Sequence, residues 1–286
     1  MLTSDQALKK LQNAELSILL AVADLCKKAD IKWWMDSGTA LGAMRHQGFI
    51  PWDDDIDIGM MRADYDRFLE VAPEILPEGY SLRTSRNTPG FAPLFAKVYL
   101  DGTLFETQET REAGLQQCIF VDVFPYDYLC SDEKGRDRQI SGAVKAQRMS
   151  YLYHSKSINV PHTGFLGAVE RIGCRVVHLA ERMLVRDARK LQDSYDAAAV
   201  CDNPEALSNE VLSLVWPQMK PLPDTDYLPC SLAEFEGHLL PVPSATDKYL
   251  TAMYGDWHRI PKPDERHVHL PLLLDFGDGE IWRAGE

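Results

Sequence analysis

The sequence predicts an α+β protein in which a mixed β-sheet, formed by residues 30 to 130, carries flanking helices and is followed by an added helical region. Two observations carry that prediction. Between residues 30 and 130, short β-branched and aromatic segments alternate with turn-prone sequence, whereas from Ser131 the apolar residues recur at helical spacing over roughly 131 to 156 and 164 to 200. A third observation bounds the answer: 286 residues with 45% hydrophobic and 26% charged composition suffice for one substantial core. We expect a single domain over 1 to 286, with its core at about 30 to 130, helices at about 131 to 205, and a C-terminal segment of about 230 to 286 packing on the core.

The elements follow in order. From Ser4 to Ala29, Leu8, Leu11, Leu16, Leu19, Val22, Leu25 and Cys26 recur mostly at three and four, which predicts an amphipathic helix with Ser4 as its cap. "IKWWMD" suits a strand, "SGT" breaks it, and "TALGAMR" opens a helix with Thr39 near its start. "IDIGM" alternates as a strand, and "RADYDRFLEVAPEIL" returns to helical spacing through Tyr65, Phe68, Leu69 and Ala72. "LFAKVYL" and "CIFVDVF" are further strands; the proline after the second should end it, so "PYDYLC" is expected as a turn. "WPQMKPLPDTDYLPC" reads as a loop or linker, and "PSATDKYLTAMYG" as a helix ended by Gly255.

Charge and cysteine content exclude several classes. With 43 Asp and Glu against 30 Lys and Arg, the net charge of -13 disfavours general attraction to nucleic acid or anionic membrane, which only a local basic patch would override. The start "MLTSDQALKK" lacks the basic and apolar regions of a signal peptide, and no segment offers about 18 uninterrupted apolar residues, so a cytoplasmic protein is expected. Six scattered cysteines without a CxxC pair predict reduced thiols and no zinc site.

The densest chemical signal is "IPWDDDIDI", in which four of nine residues are aspartates. On a strand, residues two apart share a face, so Asp55 and Asp57 project together while Ile56 and Ile58 turn into apolar packing. Two adjacent carboxylates raise each other's pKa or require a cation, and oxygen-only ligands suit Mg²⁺ or Mn²⁺. An EF-hand calcium loop would need Gly and Glu at positions where neither stands. Solvated aspartates in an acidic turn are the plainer alternative, which suits Asp53 and Asp54 better than Asp55 and Asp57. A third ligand is expected at Asp122, flanked by Val121 and Val123, because a lone carboxylate among apolar neighbours is costly to bury; Asp127 is the weaker candidate. About 17 residues before the pair, Gly38 and Thr39 open a helix whose amide groups and dipole suit a phosphate.

These residues carry a resemblance. "DSGTALGAMRHQGFIPWDDDIDIGMMRADYDRF" resembles the signature of the LicD family of phosphotransferases, which includes the fukutin-related proteins. "FAKVYLDGT", "FVDVFPYD" and "EFEGHLLPVPSATDKYLTAMYGDWHRIPKPDERHVH" continue it in order along nearly the whole chain. The resemblance implies a nucleotidyltransferase-like fold, with Gly38-Thr39 as the nucleotide-phosphate turn and Asp55, Asp57 and Asp122 as the metal-binding acids. It also implies a reaction: a phospho-alcohol, phosphocholine first among them, passes from a CDP-activated donor such as CDP-choline to a glycan, and CMP leaves. The glycan would belong to the cell surface, as in lipopolysaccharide or teichoic acid, and be lipid-linked, which adds peripheral contact with the inner face of the membrane to the expectations.

In such a reaction Asp122 is a candidate proton acceptor as well as a ligand. Arg45, ending the helix after the turn, and Lys97, a cation in an apolar strand, are candidates for donor phosphates; His46 is a lesser one. His258, His267 and His269 lack ligand spacing and read as structural. A choline headgroup would want an aromatic cage, for which Trp33, Trp34, Trp52, Tyr126 and Tyr128 lie near the motifs without any being singled out. Arg171, Arg175, Arg182, Arg186 and Arg189 fall within about 60° on one helix, with Leu166, Val169, Val176, Ala180, Leu184 and Leu191 opposite. That stripe suits a phosphate-rich glycan, an anionic surface, or simply solvent. Two other functions use the same acids: an NTP-dependent nucleotidyltransferase acting on a small molecule, and a non-catalytic nucleotide- and metal-binding module.

Overall fold

In a computed structural model describing residues 2–155, 164–185, 187–201, 206–266 and 270–285, the N-terminal periodicity closes into one helix, α1 (Ser4–Ala29). Its cap is Thr3, not Ser4. The Thr3 hydroxyl accepts from the Gln6 N–H while the Gln6 side chain accepts from the Thr3 N–H, a reciprocal box open only to the residue before the first turn. Leu11, Ile18, Leu19, Val22 and Leu25 form the buried stripe, which lies across the central strands.

The chain then lays down β1 (Trp34–Met35), α2 (Ser37–His46), β2 (Asp57–Met61), α3 (Arg62–Ile75), β3 (Tyr80–Arg83), β4 (Ala96–Leu100), β5 (Leu104–Glu106), α4 (Gln108–Ala113) and β6 (Ile119–Cys130). The main sheet runs β1-β2-β6-β4-β3, with β2 and β6 parallel and the other pairs antiparallel. It is the expected mixed sheet. Gly59 on β2 is required because a Cβ there would stand 2.5 Å from the Trp34 indole nitrogen.

Strand β6 does not end at Pro125. The Asp122 N–H donates to the Ile56 carbonyl on the β2 side, so by alternation the Pro125 nitrogen points toward β4, whose pairing stops at Val123. No ladder donor is lost, and "PYDYLC" continues as strand. Asp127 is therefore buried in the sheet, where both its oxygens take bonds of 2.7 Å from Arg62.

Next come α5 (Glu133–His154), α6 (Gly164–Leu184) and α7 (Arg189–Ala199), so the helical stretch expected from 164 to 200 is two helices. Arg189 opens α7, Arg186 lies outside the described residues, and the arginine stripe on one helix reduces to Arg171, Arg175 and Arg182. Cys130 and Cys201 form a disulfide with Cα atoms 5.6 Å apart, which corrects the expectation that every thiol is reduced. The packing of α5 against both β6 and α7 brings together two cysteines 71 residues apart. Cys26, Cys118, Cys174 and Cys230 are free.

The last part contains β7 (Leu207–Leu212), β8 (Leu222–Pro223), β9 (Ser231–Phe235), β10 (His238–Val242), α8 (Thr246–Tyr254), β11 (Leu273–Asp275) and β12 (Ile281–Arg283). β7 pairs with the far half of β6 and β8 with β7, extending the main sheet to seven strands. The proline-rich stretch read as a loop or linker thus contributes a sheet strand. β9 and α8 pack on α2, and β11 pairs with β5, so this segment returns to the core.

Candidate active site

The aspartate run divides by burial. Asp54, Ile56 and Ile58 are buried, while Asp53, Asp55 and Asp57 are half-buried. Strand geometry proper begins at Asp57, yet the alternation extends back through Asp55, so the pair shares one face. Asp57 is fastened on both sides: its N–H donates to Thr39 Oγ1 at 2.9 Å and its carbonyl accepts from the Asp36 N–H at 2.9 Å. Asp122 is its register partner on β6. The reading of Asp53 and Asp54 as solvated aspartates is corrected. Asp54 is buried, and the Asp53 carboxylate packs so near Gly38 that a Cβ there would meet it at 3.0 Å.

Burial and mutual repulsion dominate the electrostatics. Burial first, then the charges of Asp55 and Asp122, push the Asp57 carboxyl well above the usual range. Asp53 is raised to about 8 by burial, with Asp55 and Asp54 adding to it. Burial lifts Asp122 to about 6 against the attraction of Lys97, whose Nζ stands 2.7 Å from Asp122 Oδ1. Glu15 on α1 joins this group unannounced by any sequence motif. It is fully buried, neither carboxylate oxygen has a hydrogen-bond partner among the described residues, and burial followed by Asp55, Asp54 and Asp53 holds its pKa far up.

The start of α2 is set by another buried carboxylate, Asp36. It accepts from the Ser37 N–H at 2.9 Å, from the Tyr126 hydroxyl at 2.9 Å and from the Tyr249 hydroxyl. Burial raises Asp36 and these bonds oppose the rise. A β-strand, α2 and α8 are thereby tied at one point, and Ser37 takes a left-handed φ of 47° that turns the first turn of α2 toward the aspartates.

Two lobes of space share Ser37, Asp55 and Asp57. One, of about 510 Å³, is lined by Gly38, Arg45, Trp52, Trp257, Arg259 and Arg266. The other, of about 280 Å³, holds Asp122 with Phe124, Trp216, Met219 and Met253. Arg45 therefore faces the first lobe, where it donates to the carbonyls of Trp257 and Arg259 at 3.1 and 3.3 Å and to His46 Nε2 at 3.0 Å. Thr39 spends its hydroxyl on Asp57, and Lys97 is buried against Asp122 and the Phe120 ring, 3.3 Å from its centroid.

Of the aromatic residues considered, only Trp52 lines a lobe, with the Arg266 guanidinium 4.0 Å above its ring. Trp33 and Trp34 are core, Tyr126 holds Asp36, and the Tyr128 hydroxyl donates to Asp224. The wall of Trp257, Arg259 and Arg266 comes from the C-terminal segment that continues the family resemblance, in which none of the three stands out by its own chemistry. His258 stacks on Trp257 at 3.8 Å, and His267 and His269 lie outside the described residues.

The donors fit a hard divalent cation. Asp55 and Asp57 offer oxygen only, on one face, and their mutual repulsion is what such an ion relieves. Asp122 has one oxygen committed to Lys97 and one to spare. Among the described residues no three acidic, His or Cys side chains converge closely enough to cage an ion unaided, so water or a ligand phosphate would have to complete the shell.

Known proteins resemble this chain across the same region. Residues 30–161 match the family described as LicD/FKTN/FKRP, nucleotidyltransferase domain. The lipopolysaccharide cholinephosphotransferase LicD of Haemophilus influenzae is 26% identical over 269 residues, which cover 92% of this chain and 95% of that protein. An uncharacterized protein of Rickettsia typhi is 40% identical over 110 residues, 38% of this chain and 33% of its own. Human ribitol 5-phosphate transferase FKRP is 40% identical over 43 residues, 15% of this chain and 9% of its own.

Proposed function

From the match of residues 30–161 to the LicD/FKTN/FKRP nucleotidyltransferase domain, we propose that this chain belongs to that family and transfers phosphocholine from CDP-choline to a glycan hydroxyl, releasing CMP. The observation that carries the reading is the meeting of Asp55, Asp57 and the first turn of α2 at the junction of two lobes, one walled by Arg45, Trp52, Trp257 and Arg266, the other holding Asp122. Similarity along nearly the full length to a lipopolysaccharide cholinephosphotransferase supports the donor and acceptor classes.

In this reading the donor occupies the lobe of Arg45, Trp52 and Arg266, with its diphosphate against Gly38 and the amide groups of α2. The acceptor hydroxyl enters beside Asp122. Its oxygen forms a bond to the phosphorus that bears choline, the bond from that phosphorus to the CMP oxygen breaks, and the hydroxyl proton passes to Asp122. A carboxylate held near 6 is mostly ionised at neutral pH and still basic enough to take that proton. Lys97 fixes which Asp122 oxygen is free. Mg²⁺ or Mn²⁺ on Asp55 and Asp57, its shell completed by donor phosphate and water, would supply charge neutralisation at the transferring group, which leaves the free oxygen of Asp122 for the proton. The acceptor class is a cell-surface glycan modified in the cytoplasm, with lipopolysaccharide, the acceptor in the name of the Haemophilus relative, as its first representative.

Product analysis tests this. The protein is incubated with Mg²⁺ and CDP-choline, CDP-ribitol, CDP-glycerol, CTP or ATP, and CMP and pyrophosphate are followed. CMP from CDP-choline is the expected outcome. Pyrophosphate from CTP or ATP would instead establish a nucleotidyltransferase, and bound nucleotide without either product a binding module.

A further inference from the structure

Helix α6 turns its apolar face away from the protein. Leu166, Val169, Ile172, Val176, Leu179 and Met183 recur at three and four, and each is between 49% and 82% exposed. The side that meets α5 is the polar one: a His178 ring nitrogen stands 2.7 Å from the Leu152 carbonyl, and Glu170 and Cys174 lie on the same side at the α5 groove. Helices of globular proteins bury the apolar stripe and expose the polar one. Here the order is reversed.

Three features identify what covers that face. Arg171, Arg175 and Arg182 are exposed along one edge of the apolar stripe, concentrating positive charge on a chain whose net charge is -13. No helix among the described residues is long and apolar enough to cross a membrane, so α6 can lie in an interface but not span it. The adjoining groove between α5 and α6, about 1030 Å³ and lined by Ile140, Val144, Tyr151, Val177 and Trp216, shares Trp216 and Gln218 with the lobe that holds Asp122. The groove on the α5 side of α6 thus adjoins the lobe of the acids.

We propose that α6 docks this protein on an anionic lipid bilayer, with the apolar stripe entering the headgroup boundary and the three arginines meeting lipid phosphates. Docking by this face leaves the groove between α5 and α6 beside the bilayer, and there a lipid-linked acceptor is held while its glycan reaches Asp122 through the lobe that shares Trp216 and Gln218. That last step rests on the transfer reaction proposed above; the docking itself does not, and it is measured without nucleotide.

The test is flotation of the full chain with vesicles of phosphatidylglycerol and phosphatidylethanolamine, against vesicles of phosphatidylcholine alone. The chain should float with the anionic vesicles and remain largely free of the neutral ones. Ile172→Glu with Val176→Glu, both at exposed sites, should abolish flotation while helix content by circular dichroism stays unchanged. R171Q, R175Q and R182Q should each weaken binding to anionic vesicles about fivefold. Absence of flotation with anionic vesicles overturns the proposal, as does equal flotation of the double glutamate variant. A dimer by light scattering that the same variant dissociates, without vesicle binding, would assign the face to a second copy and overturn it equally.

Discussion

Lys97 and Asp122 face each other across the β4–β6 ladder, with the ammonium nitrogen 2.7 Å from Asp122 Oδ1 and both side chains almost wholly buried. The strand pairing leaves Asp122 one oxygen held by Lys97 and, in the proposed reaction, the second free to take a proton. Its removal from one side should be costly. In Lys97→Met, Asp122 loses the charge that opposes burial, so its folded pKa rises further above its unfolded value. A raised carboxyl pKa costs stability above the unfolded pKa, and the cost disappears as pH falls below it. The variant should therefore lose about 3–5 kcal/mol at neutral pH, and much less near pH 4, in denaturant titrations at the two pH values.

The acid cluster predicts an exchange of stability against function. Asp57 ionises only against burial and the charges of Asp55 and Asp122. Asp57→Asn removes that cost, so in metal-free buffer at neutral pH its melting temperature should exceed the wild type's while CMP release is lost. A variant both less stable and fully active would contradict the role given to this residue.

Thr39 carries no charge, and its hydroxyl is committed to the Asp57 N–H. Thr39→Val keeps the shape but leaves the Asp57 N–H without its 2.9 Å acceptor. The expected stability loss is about 1 to 3 kcal/mol. Turnover should fall more than nucleotide affinity, since what slips is the position of a carboxylate. Nucleotide titration by fluorescence beside steady-state rates separates the two.

The Arg62–Asp127 pair, with two bonds of 2.7 Å, is structural and lines neither lobe. Arg62→Met should cost about 3–5 kcal/mol by stranding a buried carboxylate, and R62M combined with Asp127→Leu should regain most of it. Urea titration of the single and double variants reads the recovery.

What could be read in advance was what repeats along the chain. The two-residue alternation through Asp55, Ile56, Asp57 and Ile58 places both acids on one face, and the helical spacing of α1 and α3 predicts their buried stripes. What stayed hidden depends on partners distant in sequence. Glu15 sits on a helix where glutamate ordinarily faces water, and only the crossing of α1 beneath the acids buries it. Pro125 stays within a strand because β4 is too short to need its missing donor. Cys130 and Cys201 meet because α5 and α7 stack at the far end of β6, and Arg259 and Arg266 reach the site because α8 returns to α2.

The central claim is that the acids at the junction of the two lobes drive transfer of an intact phosphocholine group. CDP-choline labelled in its choline methyl groups, incubated with the protein, Mg²⁺ and lipopolysaccharide, measures this most directly. The account predicts label in the glycan fraction in equal molar amount to CMP released, and neither in Asp55→Asn or Asp57→Asn. Label transfer that persists in both variants, or CMP release with the label remaining as free choline phosphate whatever the glycan supplied, would contradict it.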